Sequence, residues 1–204
     1  MKILFATTNP AKVHYYAEEL IKKGMEILTL KDVELKLDID ESGKNAVENA
    51  RIKAEEYFNA SRIVTVSIDD SLYIEGLSEE KQPGTNVRRV GDKRLDDNEM
   101  IEYYKGLVRE LGGKVKAKWV KGVAVCDGRN TKSFEYSRSN FFFVDQQSDV
   151  MEEGYPLDSI SIIPEFNKYL SELTDTELTQ YKKNNSSKQI FDFIMRSIDE
   201  DKEI

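Results

Sequence analysis

The chain has one cysteine and one histidine in its 204 residues. With Cys126 alone, an intrachain disulfide, a zinc ribbon and a CxxC redox pair are all excluded, and its place in an apolar run reads as an inert strand position. With His14 alone, multi-histidine metal sites are excluded, and any Ser-His or Cys-His mechanism would depend on this one imidazole. Its neighbours Val13, Tyr15 and Tyr16 suggest a helical position instead. Long hydrophobic runs are missing as well. The opening Met1-Lys2-Ile3-Leu4-Phe5-Ala6 is too short for the core of a signal peptide and passes at once into Thr7-Thr8-Asn9, so a soluble, cytoplasmic protein is expected. Nor is there a basic excess: 30 Lys and Arg face 38 Asp and Glu, a net charge of −8, which disfavours adhesion to nucleic acid or to an anionic membrane. What chemistry remains falls to carboxylates, lysines and a hard cation such as magnesium.

The composition, 39% hydrophobic and 33% charged, suits a single globular domain of ordinary core size, organised in two lobes. Residues 2–6 read as a short buried strand, and Thr7-Thr8-Asn9-Pro10 as a helix entry, a capping residue followed by proline in the first turn. That helix runs to about Lys23 and stops at Gly24. A strand over 25–30, a polar acidic stretch over 31–43 and a helix over 45–60 follow. In that helix Ala46, Ala50, Ala54 and Phe58 recur every fourth residue and face the sheet. Residues 63–68 form a third strand. Gly76, Pro83, Gly84 and Gly91 mark 75–97 as a long loop of the kind that often carries function. A helix over 96–111 precedes a strand over 114–126, a turn at Asp127-Gly128 and a strand over 132–144, hence an antiparallel hairpin. Residues 168–198 read as helical, interrupted at 182–188, with Ile190, Phe193, Ile194 and Ile198 on the apolar face of the last helix. Strands alternating with helices, plus the hairpin, predict an α/β fold with a mixed sheet.

Three stretches carry groups suited to chemistry. The third strand runs straight into Asp69-Asp70-Ser71, and a buried strand ending in two acids presents them at a sheet edge, where ligands collect in open α/β folds. The same residues are also ordinary turn formers. Thr8-Asn9-Pro10-Ala11-Lys12 places a hydroxyl, an amide and an ammonium within one turn of a helix N-terminus, where free N–H groups and the helix dipole attract anions. The spacing is not that of a P-loop, and a plain capped helix has the same residues. Glu41-Ser42-Gly43 precedes a helix in which Asn49 and Lys53, four apart, share a face, as they would on a solvated surface.

Taken in order, these segments resemble the inosine triphosphate pyrophosphatase family, the noncanonical purine nucleoside triphosphate pyrophosphatases, over most of the chain. The family's T/S-x-N-x-x-K is matched by Thr7, Asn9 and Lys12. Its E-T-G and E-N-A-x-x-K-A are matched by Glu41-Ser42-Gly43 and Glu48-Asn49-Ala50-Arg51-Ile52-Lys53-Ala54. Its D-D-S-G-L resembles Asp69-Asp70-Ser71, with Leu72 where glycine is usual, and its P-G-x-x-S-A-R resembles the run from Pro83 to Arg89, with Arg89 in the arginine position. Toward the C-terminus the match is looser. G-F-G-Y-D-P-I-F resembles Gly154-Tyr155-Pro156-Leu157-Asp158-Ser159-Ile160-Ser161, and K-x-x-x-S-H-R resembles the run from Lys182 to Lys188, with Ser187 replacing histidine and Lys188 replacing arginine.

The resemblance implies an elongated mixed β-sheet flanked by helices, two lobes with the active-site cleft between them, and a homodimer. It implies hydrolysis of a nucleoside triphosphate to the monophosphate and pyrophosphate, with water attacking the α-phosphorus and Mg2+ bridging the phosphates. On that implication Glu41 and Asp70 ligate the metal, and Asp70 first, Asp69 second, orients or deprotonates the water. Lys12 and Lys53 neutralise the leaving pyrophosphate, with Thr7, Thr8, Asn9, Asn49 and Ser71 as further substrate contacts. Tyr155 stacks on the base and Asp158 accepts from its ring N–H groups. Lys182, Ser187 and Lys188 complete the substrate set, the last two standing where the family reads the 6-oxo group of inosine and xanthosine. ITP, dITP and XTP are the expected substrates. A pyrophosphatase for a different nucleotide and a catalytically silent nucleotide-binding protein of the same fold are the alternatives. Against silence, the metal and phosphate positions survive while substitutions gather at the base and at turn glycines.

Overall fold

The computed structural model describes residues 1–184 and 187–199, the side chains at 183, 184, 187 and 199 excepted. Its contacts divide into two compact units. The first comprises Met1–Asp70, Lys121–Tyr136 and the described residues from 187 on. Strand β1 (Lys2–Phe5) lies between β2 (Glu26–Thr29) and β3 (Thr65–Ile74) and is parallel to both. Parallel neighbours need a crossover, supplied by α1 (Pro10–Lys22) and α2 (Ala46–Ser61). Asn9 caps α1, its Oδ1 accepting from the Ala11 N–H at 3.0 Å, with Pro10 in the first turn. The chain leaves that helix through Gly24 at φ +80°, a conformation that costs glycine nothing. Asn45 starts α2 in the same manner, accepting from the Glu48 N–H at 2.9 Å.

Helices cover both faces of this part of the sheet. On one, Ile3, Phe5, Val66, Ile68, Val123 and Val125 pack with Leu20 of α1 and with Ile190, Ile194 and Ile198 of α5 (Ser187–Asp199). On the other, Ala50 and Ala54 of α2 lie against Ala124 and Cys126, with Phe58 alongside; the alanine spacing does face the sheet, and Cys126 is buried there. The approach is close enough that a Cβ on Gly122 would meet the Ala46 carbonyl oxygen at 2.1 Å. Between β2 and α2, residues 35–43 have no regular structure, yet Leu35, Leu37 and Ile39 alternate inward against Leu4, Leu30 and Tyr57. This strap leads into Glu41.

The second unit comprises Ser71–Val120 and residues 137–184. Its core gathers Met100, Ile101, Tyr104 and Val108 of α3 (Asp97–Glu110) with Val115, Phe141, Phe143, Leu157 and Ile163, among others. A capping box between Asp96 and Glu99 starts α3. Strands β6 (Lys114–Cys126) and β7 (Thr131–Val144), like β3, contribute residues to both units. They are hydrogen-bonded neighbours joined by a tight turn, so they run antiparallel as expected. Strands β8 (Ser161–Ile163) and β9 (Lys168–Tyr169) extend the sheet antiparallel beyond β7, and its full order is β2-β1-β3-β6-β7-β8-β9. The sheet is mixed and flanked by helices, an α/β fold. Among the described residues no helix is long and apolar enough to cross a membrane.

Three expectations are corrected. Strand β3 does not end at Ile68. It continues to Ile74, because Leu72 and Ile74 are buried in the second core and Leu72 exchanges two backbone hydrogen bonds with Gly84, at 2.9 and 3.0 Å. The two acids therefore lie within a strand. The 75–97 segment contains a short hairpin of β4 (Arg89–Val90) and β5 (Lys93–Arg94). Residues 168–173 are not α-helical: they form β9 and a 3-10 turn, Leu170–Glu172, and α4 (Asp175–Asn184) begins where Thr174 and Glu177 exchange capping hydrogen bonds.

Candidate active site

Successive residues of a strand point to opposite faces, so Asp69 and Asp70 point to opposite sides of the sheet. Asp70 lies on the side of Val66 and Ile68. Lys12, from the first turn of α1, meets its Oδ2 at 2.6 Å, and Lys121, from β6, meets its Oδ1 at 2.6 Å. Lys12 Nζ also donates to the Ile68 carbonyl at 3.3 Å. All three side chains are only 15–17% exposed. Asp69 lies on the α2 side, where its Oδ1 accepts from Lys53 at 2.9 Å, and the same ammonium reaches Glu41 Oε1 at 2.9 Å. Asn49, one turn before Lys53, is buried and accepts from the Gly43 N–H at 2.8 Å, which fixes the strap two residues after Glu41.

These arrangements set the charge. Burial raises the Asp70 pKa, but Lys12 and then Lys121 outweigh it and hold the carboxyl well below the usual carboxylate range. Burial lowers Lys53, but Asp69 and Glu41 outweigh it and hold the ammonium above its ordinary value. In these ion pairs the Asp70 side brings two cations to one anion, an arrangement suited to phosphate. The Asp69 side has two anions around one cation, an excess of one negative charge suited to a metal ion.

The resemblance pairs Glu41 with Asp70 as the magnesium ligands. The ion pairs instead join Glu41 to Asp69 through Lys53, and both oxygens of Asp70 are engaged by lysines. An acid that gives up its proton so readily is also a weak general base. Among the described residues no group of three or more His, Cys, Asp or Glu side chains is gathered around a metal position. Glu41 and Asp69 nevertheless fit a magnesium ion that arrives with phosphates, because such an ion takes one or two carboxylates and completes its shell with water and phosphate oxygens.

At the start of α1, Thr7 Oγ1 accepts from the Asn9 N–H at 3.1 Å and Thr8 is exposed; the caps here are built by the expected substrate ligands. His14 is exposed. Ser71 is buried, and its hydroxyl has no hydrogen-bond partner among the described residues. Lys121 was missed by the sequence reading. Its signal was there: a lysine at an inward position in the apolar run from Val120 to Cys126 demands a partner.

In the second unit, Tyr155 and Asp158 are half-buried around a 3-10 turn, Pro156–Ile160, and the Asp158 N–H donates to the Tyr155 carbonyl at 3.1 Å. The departures from the family pattern have structural roles. Pro156 opens the turn, the buried Ser159 hydroxyl donates to the Pro156 carbonyl at 2.7 Å, and Leu72 fills the second core. Arg89, matched to the motif arginine, is exposed, whereas Arg88 pairs with Asp97 at 2.7 Å. Lys182 is half-buried in α4 and Lys188 exposed in α5, and the side chain of Ser187 lies outside the described residues.

Comparison with known proteins gives a consistent kinship. A dITP/XTP pyrophosphatase of Thermus thermophilus is 30% identical over 184 residues, covering 89% of this chain and 85% of that protein. One from Campylobacter jejuni is 29% identical over 193 residues, covering 92% and 90%. Among solved structures, a HAM1 protein from Coxiella burnetii superposes with a TM-score of 0.76 at 18% identity, over 98% of this chain and 99% of that one. The Staphylococcus aureus Ham1 protein gives 0.72 at 21% over the whole of both. At such identities the structures speak for the fold alone, but the family's sequence model matches residues 3–189, a span that takes in every carboxylate and lysine described above. As the order of its motifs led us to expect, the chain belongs to the Ham1 family.

Proposed function

We propose that this protein hydrolyses noncanonical purine nucleoside triphosphates, dITP, XTP and ITP, to the monophosphate and pyrophosphate, and so clears them from the nucleotide pool. The observation that carries the reading is the opposite charge of the two sides of β3 at Asp69 and Asp70. Lys12 and Lys121, both drawn onto one carboxylate, are the groups a polyphosphate would engage. Glu41 and Asp69 would hold Mg2+, which when bound supplies further positive charge to the phosphates. In the reaction a water oxygen bonds to the α-phosphorus, the bond from that phosphorus to the oxygen bridging to the β-phosphate breaks, and pyrophosphate leaves. Asp69 takes precedence over Asp70 as the group that orients the water and accepts its proton. It has one cationic partner where Asp70 has two, and no hydrogen bond is made to its second oxygen among the described residues.

Lys53 holds Glu41 and Asp69 in the free protein and compensates charge during the reaction, and Asn49 acts through Gly43 on the placement of Glu41. Thr7, Thr8, Asn9 and Ser71 stay in the substrate set, and Tyr155, Asp158, Lys182, Ser187 and Lys188 in the base-reading set, on their match to the family motifs. A cytoplasmic homodimer belongs to the same proposal, and sedimentation equilibrium tests the dimer. The function itself is tested by pyrophosphate release, with magnesium and with EDTA, across ITP, XTP, dITP, GTP, ATP and the pyrimidine triphosphates. Magnesium-dependent release chiefly from the inosine and xanthosine nucleotides is expected. Release chiefly from another base redirects the substrate, and tight nucleotide binding without release makes the protein a silent binder.

A further inference from the structure

Residues 149–153 of the second unit are all exposed, and the segment they open runs on to Tyr155. Val150 and Met151 are 49% and 42% exposed, and Glu152 and Glu153 are exposed as well. The Val150 N–H donates to Ser148 Oγ at 3.0 Å and the Tyr155 N–H to the Glu152 carbonyl at 3.0 Å, both bonds local to the segment. A pair of charged side chains from elsewhere in the same unit takes hold of its end. Asp97, the first residue of α3, divides its carboxylate: Oδ1 accepts from Arg88 Nη1 at 2.7 Å, and Oδ2 accepts from the Gly154 N–H at 3.0 Å. Arg88 Nη2 in turn donates to the Gly154 carbonyl at 3.4 Å. One ion pair therefore grips both polar groups of a single glycine, which stands at φ +85°, directly before Tyr155.

A surface ion pair has little reason to be this specific. Arg88 and Asp97 are partly buried, and charge-assisted hydrogen bonds of this kind are about twice as strong as neutral ones. Burial raises the Asp97 pKa, but the Gly154 N–H and Arg88 outweigh it and hold the carboxyl below its ordinary value. The segment this ion pair holds leads directly into the aromatic side chain matched to the family's base-reading position.

We propose that Arg88 and Asp97 are a positioning pair that fixes the Gly154-Tyr155 segment and thereby sets the discrimination between bases. The inference rests on the functional reading above, in which Tyr155 meets the base. Neither side chain needs to touch the nucleotide. A site that selects by geometry loses selectivity when its contact group is released by a fraction of its width.

The test combines amide hydrogen exchange with steady-state kinetics on the wild type, Asp97→Ala and Asp97→Asn. The wild type is measured first on the full nucleotide panel, and absence of pyrophosphate release from every triphosphate would overturn the functional reading and the selectivity role together. With an active wild type, Asp97→Ala is expected to speed exchange at Gly154 and Tyr155 at least tenfold. It should raise KM for the preferred nucleotide about tenfold with kcat within a few-fold, and shrink the preference over the next base by a similar factor. Asp97→Asn, which still accepts from the Gly154 N–H, is expected to retain most of both and guards against a variant that fails to fold. Faster exchange with unchanged base preference overturns the proposal, as does unchanged exchange, and so does a loss of kcat equal for all bases, which marks a purely structural pair.

Discussion

Replacing Asp70 by Asn isolates the charge arrangement on the phosphate side of β3. Lys12 and Lys121 would be left facing each other without their shared anion, at side-chain exposures of 15–16%. Exposed ion pairs are worth about 0–1 kcal/mol, whereas removing one partner from a fully buried pair costs about 3–5 kcal/mol. With two contacts of 2.6 Å and little solvent, a loss of about 3 kcal/mol is expected. At about 2–4 °C per kcal/mol for a chain of this size, the Tm falls by about 6–12 °C. The second half of the measurement separates an anion site from a structural salt bridge. Pyrophosphate, added without magnesium at low salt, should restore much of the lost Tm in Asp70→Asn, because two ammonium groups that have lost their shared carboxylate prefer an anion. It should raise the wild type less, since Asp70 competes for the same lysines. Thermal scans of both proteins over a pyrophosphate series, repeated at high salt to screen the effect, decide the matter. A variant with wild-type Tm refutes the coupling of the three charges, and one that loses stability yet ignores pyrophosphate refutes the phosphate role of Lys12 and Lys121.

The remaining expectations follow from the same geometry. Asp69→Asn should lower kcat by about 10²–10⁴-fold with little change in KM, and a smaller loss than in Asp70→Asn would return the base role to Asp70. The Asp70 pKa is depressed on folding, so its stabilisation is fully present above the unfolded value near about 4 and is lost as pH falls through that value toward the folded one. Urea titrations between pH 6 and 3 should therefore show the gap between wild type and Asp70→Asn closing on acidification, by at most about 1.4 kcal/mol per pH unit, and a gap that widens contradicts the sign. Lys53→Met removes the cation 2.9 Å from both Glu41 and Asp69, and calorimetry should find magnesium bound about tenfold tighter without nucleotide; equal binding would mean that these acids are not the metal pair. Gly122→Ala would place a Cβ 2.1 Å from the Ala46 carbonyl oxygen and 2.4 Å from the Val47 nitrogen, both backbone atoms that cannot step aside. Overpacking there should cost at least about 3 kcal/mol, and a wild-type urea midpoint would show that α2 is less tightly seated.

Elements with two concordant local signals were legible. Strand β6 is found at the expected Lys114–Cys126, since alternation is bracketed by Gly112-Gly113 and Asp127-Gly128. Helices α1 and α3 begin at the residues whose side chains cap them. What escaped depended on distance or on one-residue register. Lys121 is 51 residues from Asp70 in sequence, and nothing local announces that they meet. Arg88 and Arg89 differ only in which one the loop turns inward. The structure brings Lys12 to Asp70 and Glu41 and Lys53 to Asp69, a division between the two acids that was obscured because Asp-Asp-Ser reads as a strand end.

That division depends on register. A slip of one residue in β3 would exchange the faces of every side chain on it, handing Asp69 to Lys12 and Lys121 and Asp70 to Lys53. The strand therefore needs to be pinned on both sides of the acids. Before them, Leu4 and Phe5 of β1 pair with Thr65 and Val66, and Val66 and Ile68 are buried in the first core. After them, Leu72 makes both backbone hydrogen bonds to Gly84 and inserts a fully buried side chain into the second core. A glycine at this position, the usual residue of the family motif, would keep the two hydrogen bonds and lose the side-chain anchor. Leu72 is thus a departure that tightens the register on which the separate chemistry of Asp69 and Asp70 rests.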